Sequence, residues 1–127
     1  MPSPASFDYA ILRVVPRVER QEFVNAAVVV YCPERRYLAA RVHFDAARVL
    51  ALWPEADVGL IQQHLEAVPR ICEGDESAGP IARLAQRERF HWLTAPRSTI
   101  IQPSPVHTGV CDATDDLLDR LEKQFLA

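Results

Sequence analysis

The run from Phe23 to Cys32, FVNAAVVVYC, constrains the fold more than any other part of the chain. It reads as a strand that is apolar on both faces, and such a strand needs cover on both sides of its sheet. Pro33-Glu34-Arg35-Arg36 is a short polar turn. Beyond it, Tyr37 to Phe44 alternates strictly, with Leu38, Ala40, Val42 and Phe44 on one face and Tyr37, Ala39, Arg41 and His43 on the other. The two segments form an antiparallel hairpin. Upstream, Asp8 to Arg17 places Ala10, Leu12 and Val14 on one face and Tyr9, Ile11, Arg13 and Val15 on the other, and Pro16 ends the strand.

After Phe44 the period changes from strand to helix. Asp45 caps a short helix through Leu52. Pro54 opens a second at its first helical position, with Val58, Ile61, Leu65 and Val68 as its apolar stripe and Pro69 kinking or ending it. Glu73 to Gly79 reads as an acidic, mobile loop, and Pro80 to Arg89 as a third helix. Phe90 to Thr94 and Ser98 to Gln102 read as two more strands around the Ala95-Pro96-Arg97 turn. Asp112 or Thr114 caps a last helix carrying Leu117, Leu118, Leu121 and Phe125. The expected class is α+β: one domain over residues 1–127, with an antiparallel sheet of about five strands, three to four helices packed on it, and a loose tail over residues 1–7.

The length suits one domain, and a chain of this size buries about two-thirds of its unfolded surface. With 49% hydrophobic and 24% charged residues the composition is that of an ordinary globular protein. The opening residues do not resemble a signal peptide and no apolar run spans a bilayer, so a cytoplasmic location and no membrane partner are expected. Cys32, Cys72 and Cys111 are odd in number and far apart, which argues against a disulfide framework. The net charge of −3 is uneven. Met1 to Leu52 holds seven Arg against five acidic residues, and Trp53 to Ala127 holds seven basic against twelve acidic. Extended nucleic-acid binding is therefore not expected.

Two segments concentrate chemically capable side chains. Arg17, Glu19, Arg20 and Glu22 alternate charge between two strands, with Asn25 just inside the second, where its amide must find partners: the loop before it, or a ligand. Phe90 to Cys111 holds His91, Arg97, Ser98, Gln102, Ser104, His107 and Thr108 among prolines and apolar anchors. Two imidazoles can act as acid and base near neutral pH and Arg97 can clamp an anion, provided the three converge. A zinc set of His91, His107 and Cys111 lacks any supporting motif, so neither a metal nor a cofactor is expected. Cys111 with His107 as a nucleophilic pair is weaker still, and no phosphate-loop or dinucleotide glycine pattern is present. Phe90, Trp92 and Trp53 read as core aromatics, with base stacking as the less favoured role.

The segments YAILRVVPRVERQEFVNAAVVVYCPERRYLAARV, from Tyr9 to Val42, and ERFHWLTAPRSTIIQPSPVHTGVC, from Glu88 to Cys111, resemble the domain-of-unknown-function 3037 family of small bacterial proteins. The resemblance runs from Tyr9 to Phe125. The family's pattern has glycine two residues after its asparagine, where this chain has Ala27. The resemblance supplies no reaction. It implies gene neighbours similar to HipA-like kinases, and so a role as partner or accessory subunit.

The leading expectation is a non-catalytic binding or accessory domain for a protein partner, recognised through Arg17, Glu19, Arg20, Glu22 and Asn25 together with Arg97, Ser98, Gln102, Ser104, His107 and Thr108. A homodimer is left open. The competing expectation is a metal-independent enzyme on a phosphate-containing or nucleotide-like substrate, using His91, His107 and Arg97.

Overall fold

A computed structural model describes residues 4–126. Three consecutive strands form an antiparallel meander: β1 (Ala5–Val14), β2 (Val24–Cys32) and β3 (Tyr37–Val42). α1 (Ala46–Leu52), α2 (Val58–Cys72) and α3 (Gln86–Thr94) follow, then β4 (Ile101–Pro103), β5 (His107–Cys111) and α4 (Leu117–Phe125). The sheet order is β3-β2-β1-β4, with β5 also on β1. The long β1 shares its second edge between two short strands: Ala5 to Tyr9 pair with β5, and Leu12 to Val14 pair with β4. The result is a single α+β unit. Among the described residues no helix is long and apolar enough to cross a membrane.

The apolar β2 is covered on both faces, as its sequence demands. Ala27 and Val29 join Leu12, Val14 and Leu38 against Ile61, Leu65 and Val68 of α2 and Phe90 and Leu93 of α3. On the opposite face Val28, Val30 and Cys32 join Phe7 and Ile11 against Leu117 and Leu121 of α4. The alternations expected in β1 and β3 hold. One irregularity interrupts the ladder: Leu12 faces Ala27 but Arg13 faces Asn25, so Ala26 is an extra residue on β2. The bulge puts Ala26 and Ala27 into the same core, both fully buried. Ala27 is thus a packing residue.

Several boundaries differ from expectation, each for a local reason. β1 begins at Ala5, and Ala5 and Phe7 are buried, so the loose tail expected over residues 1–7 does not reach that far; residues 1–3 lie outside the described residues. α2 starts at Val58 and not at Pro54, because the Asp57 carboxylate accepts the Leu60 N–H at 3.1 Å and forms the cap. Pro69 lies in the last turn of α2 without ending it. The carbonyls of Ile71 and Cys72 accept hydrogen bonds from Arg89 Nη1 at 2.9 and 2.7 Å, which secures the helix end. The third helix expected at Pro80 to Arg89 divides into a 3₁₀ turn, Pro80–Arg83, and then α3. Phe90 to Thr94 is therefore helical and not a strand: Phe90 and Leu93 turn inward together, as i and i+3 positions do.

The acidic loop is pinned. Asp75 accepts from the Ser77 hydroxyl at 2.7 Å, the Ser77 N–H at 3.0 Å and Arg70 Nε at 3.3 Å, and these bonds hold its carboxyl below the ordinary range. The strand expected over Ser98 to Gln102 is the shorter, later β4, and β5 was not anticipated. The last helix begins at Leu117, after Asp116, later than either expected cap.

Candidate functional site

On the α2/α3 side the cover is incomplete. Between α2, α3 and residues 97–103 runs a groove of about 390 Å³, floored by Leu12, Ile61 and Leu93. Three large apolar side chains stand partly exposed along it: Leu60 at 47%, Trp92 at 42% and Ile100 at 38%. Its polar side chains are His64, Arg97 and Thr99. Exposed apolar residues scattered singly are ordinary; here three gather around one concavity. Ile100 also lines a neighbouring depression with Pro16, Arg17, Glu19 and Trp53, and Val18 joins that depression to a third containing Ser98 and Gln102. The two polar segments singled out in the sequence thus meet at one end of the sheet, where the Val15 N–H donates to the Ile100 carbonyl at 2.6 Å.

Arg97 is committed locally. Its Nη2 donates to the Trp92 carbonyl, its Nε donates to the Ala95 carbonyl at 3.2 Å, and its guanidinium lies 5.2 Å from the Trp92 ring centroid. It closes the C-terminal end of α3, whose last carbonyls lack partners within the helix. The role of anion clamp does not fit this geometry.

The histidines lie apart. His91 is exposed on α3 and is not among the groove residues. His107 is on β5, with its ring 5.6 Å from that of Tyr9, which in turn stacks on Phe125 of α4. It therefore belongs to the opposite side of the sheet from Arg97, and the acid, base and clamp do not converge.

Several other expected binding residues make contacts within the fold. Ser104 is buried at 4% exposure. Its hydroxyl accepts the Ile11 N–H at 2.9 Å and donates to the Pro105 carbonyl, while its own N–H donates to the Ile11 carbonyl at 2.7 Å. It fills the gap in the ladder between β4 and β5. Thr108 donates to Asp8 at 2.9 Å across the β1–β5 pair. Asn25 donates from Nδ2 to the Phe125 carbonyl at 3.3 Å, so it ties β2 to the end of α4 instead of anchoring the preceding loop. Arg17 pairs with Glu19 at 2.9 Å, and Arg20 with Glu22 at 2.7 Å, all well exposed. Gln102 donates to the Thr99 carbonyl at 2.9 Å, and it stands with Ser98 beside Arg13.

Cys72 and Cys111 are poorly placed to act as nucleophiles. Burial pushes Cys72 up to about 12, and burial together with the neighbouring Cys32 raises Cys111. Phe90 is a core residue, as expected of it, whereas Trp92 is half-exposed on the groove. Leu60 and His64 were missed altogether. The available signal was that they are one helical turn apart on α2, off its main apolar stripe.

No curated protein matches the chain, and no solved structure does. Residues 9–126, nearly the whole chain, match the model of the family described as Protein of unknown function (DUF3037), and the chain belongs to that family.

Proposed function

We propose that the protein is a non-catalytic binding domain that seats an apolar segment of a protein partner in the groove between α2, α3 and residues 97–103. The observation that carries this reading is the grouping of Leu60, Trp92 and Ile100, each more than a third exposed, around one apolar concavity. A half-exposed tryptophan beside leucine and isoleucine is the kind of anchor that dominates binding energy at protein interfaces. The polar groups nearest to it are engaged: Arg97 on carbonyls at the end of α3 and Thr99 on the Ile101 carbonyl. The partner implied by family resemblance is a HipA-like kinase.

Tagged protein expressed in its native cells is expected to co-purify with one partner at fixed stoichiometry, and Trp92→Ser combined with Leu60→Ser is expected to abolish that association while leaving the thermal midpoint nearly unchanged. Retention of the partner by the double variant overturns the groove as the site. A purified protein that light scattering shows to be a dimer, and that Trp92→Ser makes monomeric, replaces the foreign partner with a second copy.

A further inference from the structure

The third depression, about 310 Å³, lies at the end of β1 and is lined by Arg13, Val15, Val18, Gln21, Phe23, Ser98 and Gln102. Arg13 stands opposite Gln102 on one side and Asn25 on the other. Its guanidinium carbon lies 4.3 Å from the centroid of the Phe23 ring, and Phe23 is itself 46% exposed. A guanidinium laid on an aromatic face keeps its N–H donors in the ring-parallel plane, where a forked acceptor can reach them. Arg13 has no such acceptor among the described residues. Its Nε is buried without a hydrogen bond, and the carboxylates of the adjacent turn, Glu19 and Glu22, are taken by Arg17 and Arg20.

The surroundings supply neutral polar groups and apolar walls. Gln21 holds a left-handed backbone, φ 58°, where glycine is the ordinary choice, and it brings an amide that glycine lacks. Ser98 is exposed, and Gln102 is steadied by the Thr99 carbonyl. Val15, Val18 and Phe23 form the apolar part.

We propose that this depression binds a carboxylate carried on an apolar body, with the two terminal nitrogens of Arg13 as the bidentate donor and Gln21, Ser98 and Gln102 as neutral partners. One unpaired cation matches a singly charged carboxylate. A phosphate, carrying nearly two negative charges at neutral pH, requires more positive charge than Arg13 alone provides. The same chemistry is offered by a free small acid and by the C-terminus of a partner chain. The site is separate from the apolar groove and does not rest on that reading.

The test follows the arginine Nε–Hε resonances of the ¹⁵N-labelled protein by NMR during titration with sodium benzoate, with the tripeptide Ala-Ala-Phe bearing a free C-terminus, and with inorganic phosphate. A saturable shift of the Arg13 resonance is expected with one or both carboxylates, at lower concentration than with phosphate. A tighter response to benzoate identifies a free acid as the source, and a tighter response to the peptide identifies a chain terminus. Arg13→Lys keeps the charge and loses the fork, and is expected to weaken binding about tenfold. Ser98→Ala, at an exposed position that leaves folding intact, is expected to weaken it about threefold. Trp92→Ser is expected to change nothing. No saturable shift with either carboxylate, an equal response to phosphate, unaltered affinity in Arg13→Lys, or loss of binding in Trp92→Ser each overturns the proposal.

Discussion

On the α4 side of the sheet, Tyr9 packs between Phe125 and His107, and Arg41 of β3 reaches both Asp119 and Glu122 of α4 at 2.9 and 2.8 Å. On the α2/α3 side the core is larger, yet its margin stays open along Leu60, Trp92 and Ile100. Both helical layers shield the same apolar β2, so burying β2 does not by itself account for the difference. One layer closes with rings and ion pairs around its rim, and the other leaves large apolar groups at its edge. A rim finished with charged pairs discourages apolar contacts, and an unfinished one invites them.

The largest effects should separate the two sides by core size. Leu65→Ala and Leu117→Ala are each expected to destabilise by about 2–5 kcal/mol in urea unfolding, with Leu65→Ala in the upper half of that range because it empties the larger cluster. A greater loss in Leu117→Ala would reverse the ranking and make the closed side the main source of stability. Next in size is Ser104→Ala, which belongs to neither side and strands the Ile11 N–H inside the sheet. It should cost about 1–3 kcal/mol and lower hydrogen-exchange protection at Ile11. The smallest effect is expected at the closed rim itself. Arg41→Gln should cost less than about 1 kcal/mol, and the difference from wild type should shrink further at high salt, since these pairs are partly exposed. A cost well above that would mean the ion pairs hold α4 in place instead of merely finishing its edge.

The meander was legible because period-two alternation survives in β1 and β3, and because the unbroken valines of β2 can be satisfied only between two layers. The segment after Gly79 was not. Phe90, Trp92 and Thr94 have strand-like propensities, and it is the inward pairing of Phe90 with Leu93, together with the grip of Arg89 on the end of α2, that makes them helical. β5 offered too little alternation to detect. Gly109 fits there because the Phe7 ring lies over it, so close that an added Cβ would sit 2.6 Å from a ring atom. At the site, residue types were readable but direction was not. Arg97 has the chemistry of a clamp, but at the end of α3 its guanidinium meets carbonyl groups first. Arg13 was hidden by the opposite error, since a charged residue in the polar phase of a strand looks merely solvated until its neighbours are known.

The shared second edge of β1 also sets an order of events as the chain is made. Ala5 pairs with Cys111 and Val14 with Ile101, so β1 receives its last partners only after β2, β3 and the three helices between have emerged. Until then the meander can assemble locally, but its most apolar neighbourhood has one bare edge along the full length of β1. Such contacts, distant in sequence, are made late and slow the folding of small domains. During that interval the nascent chain is most prone to pair with another copy of itself. The seal is set by two short strands and by one serine hydroxyl between them.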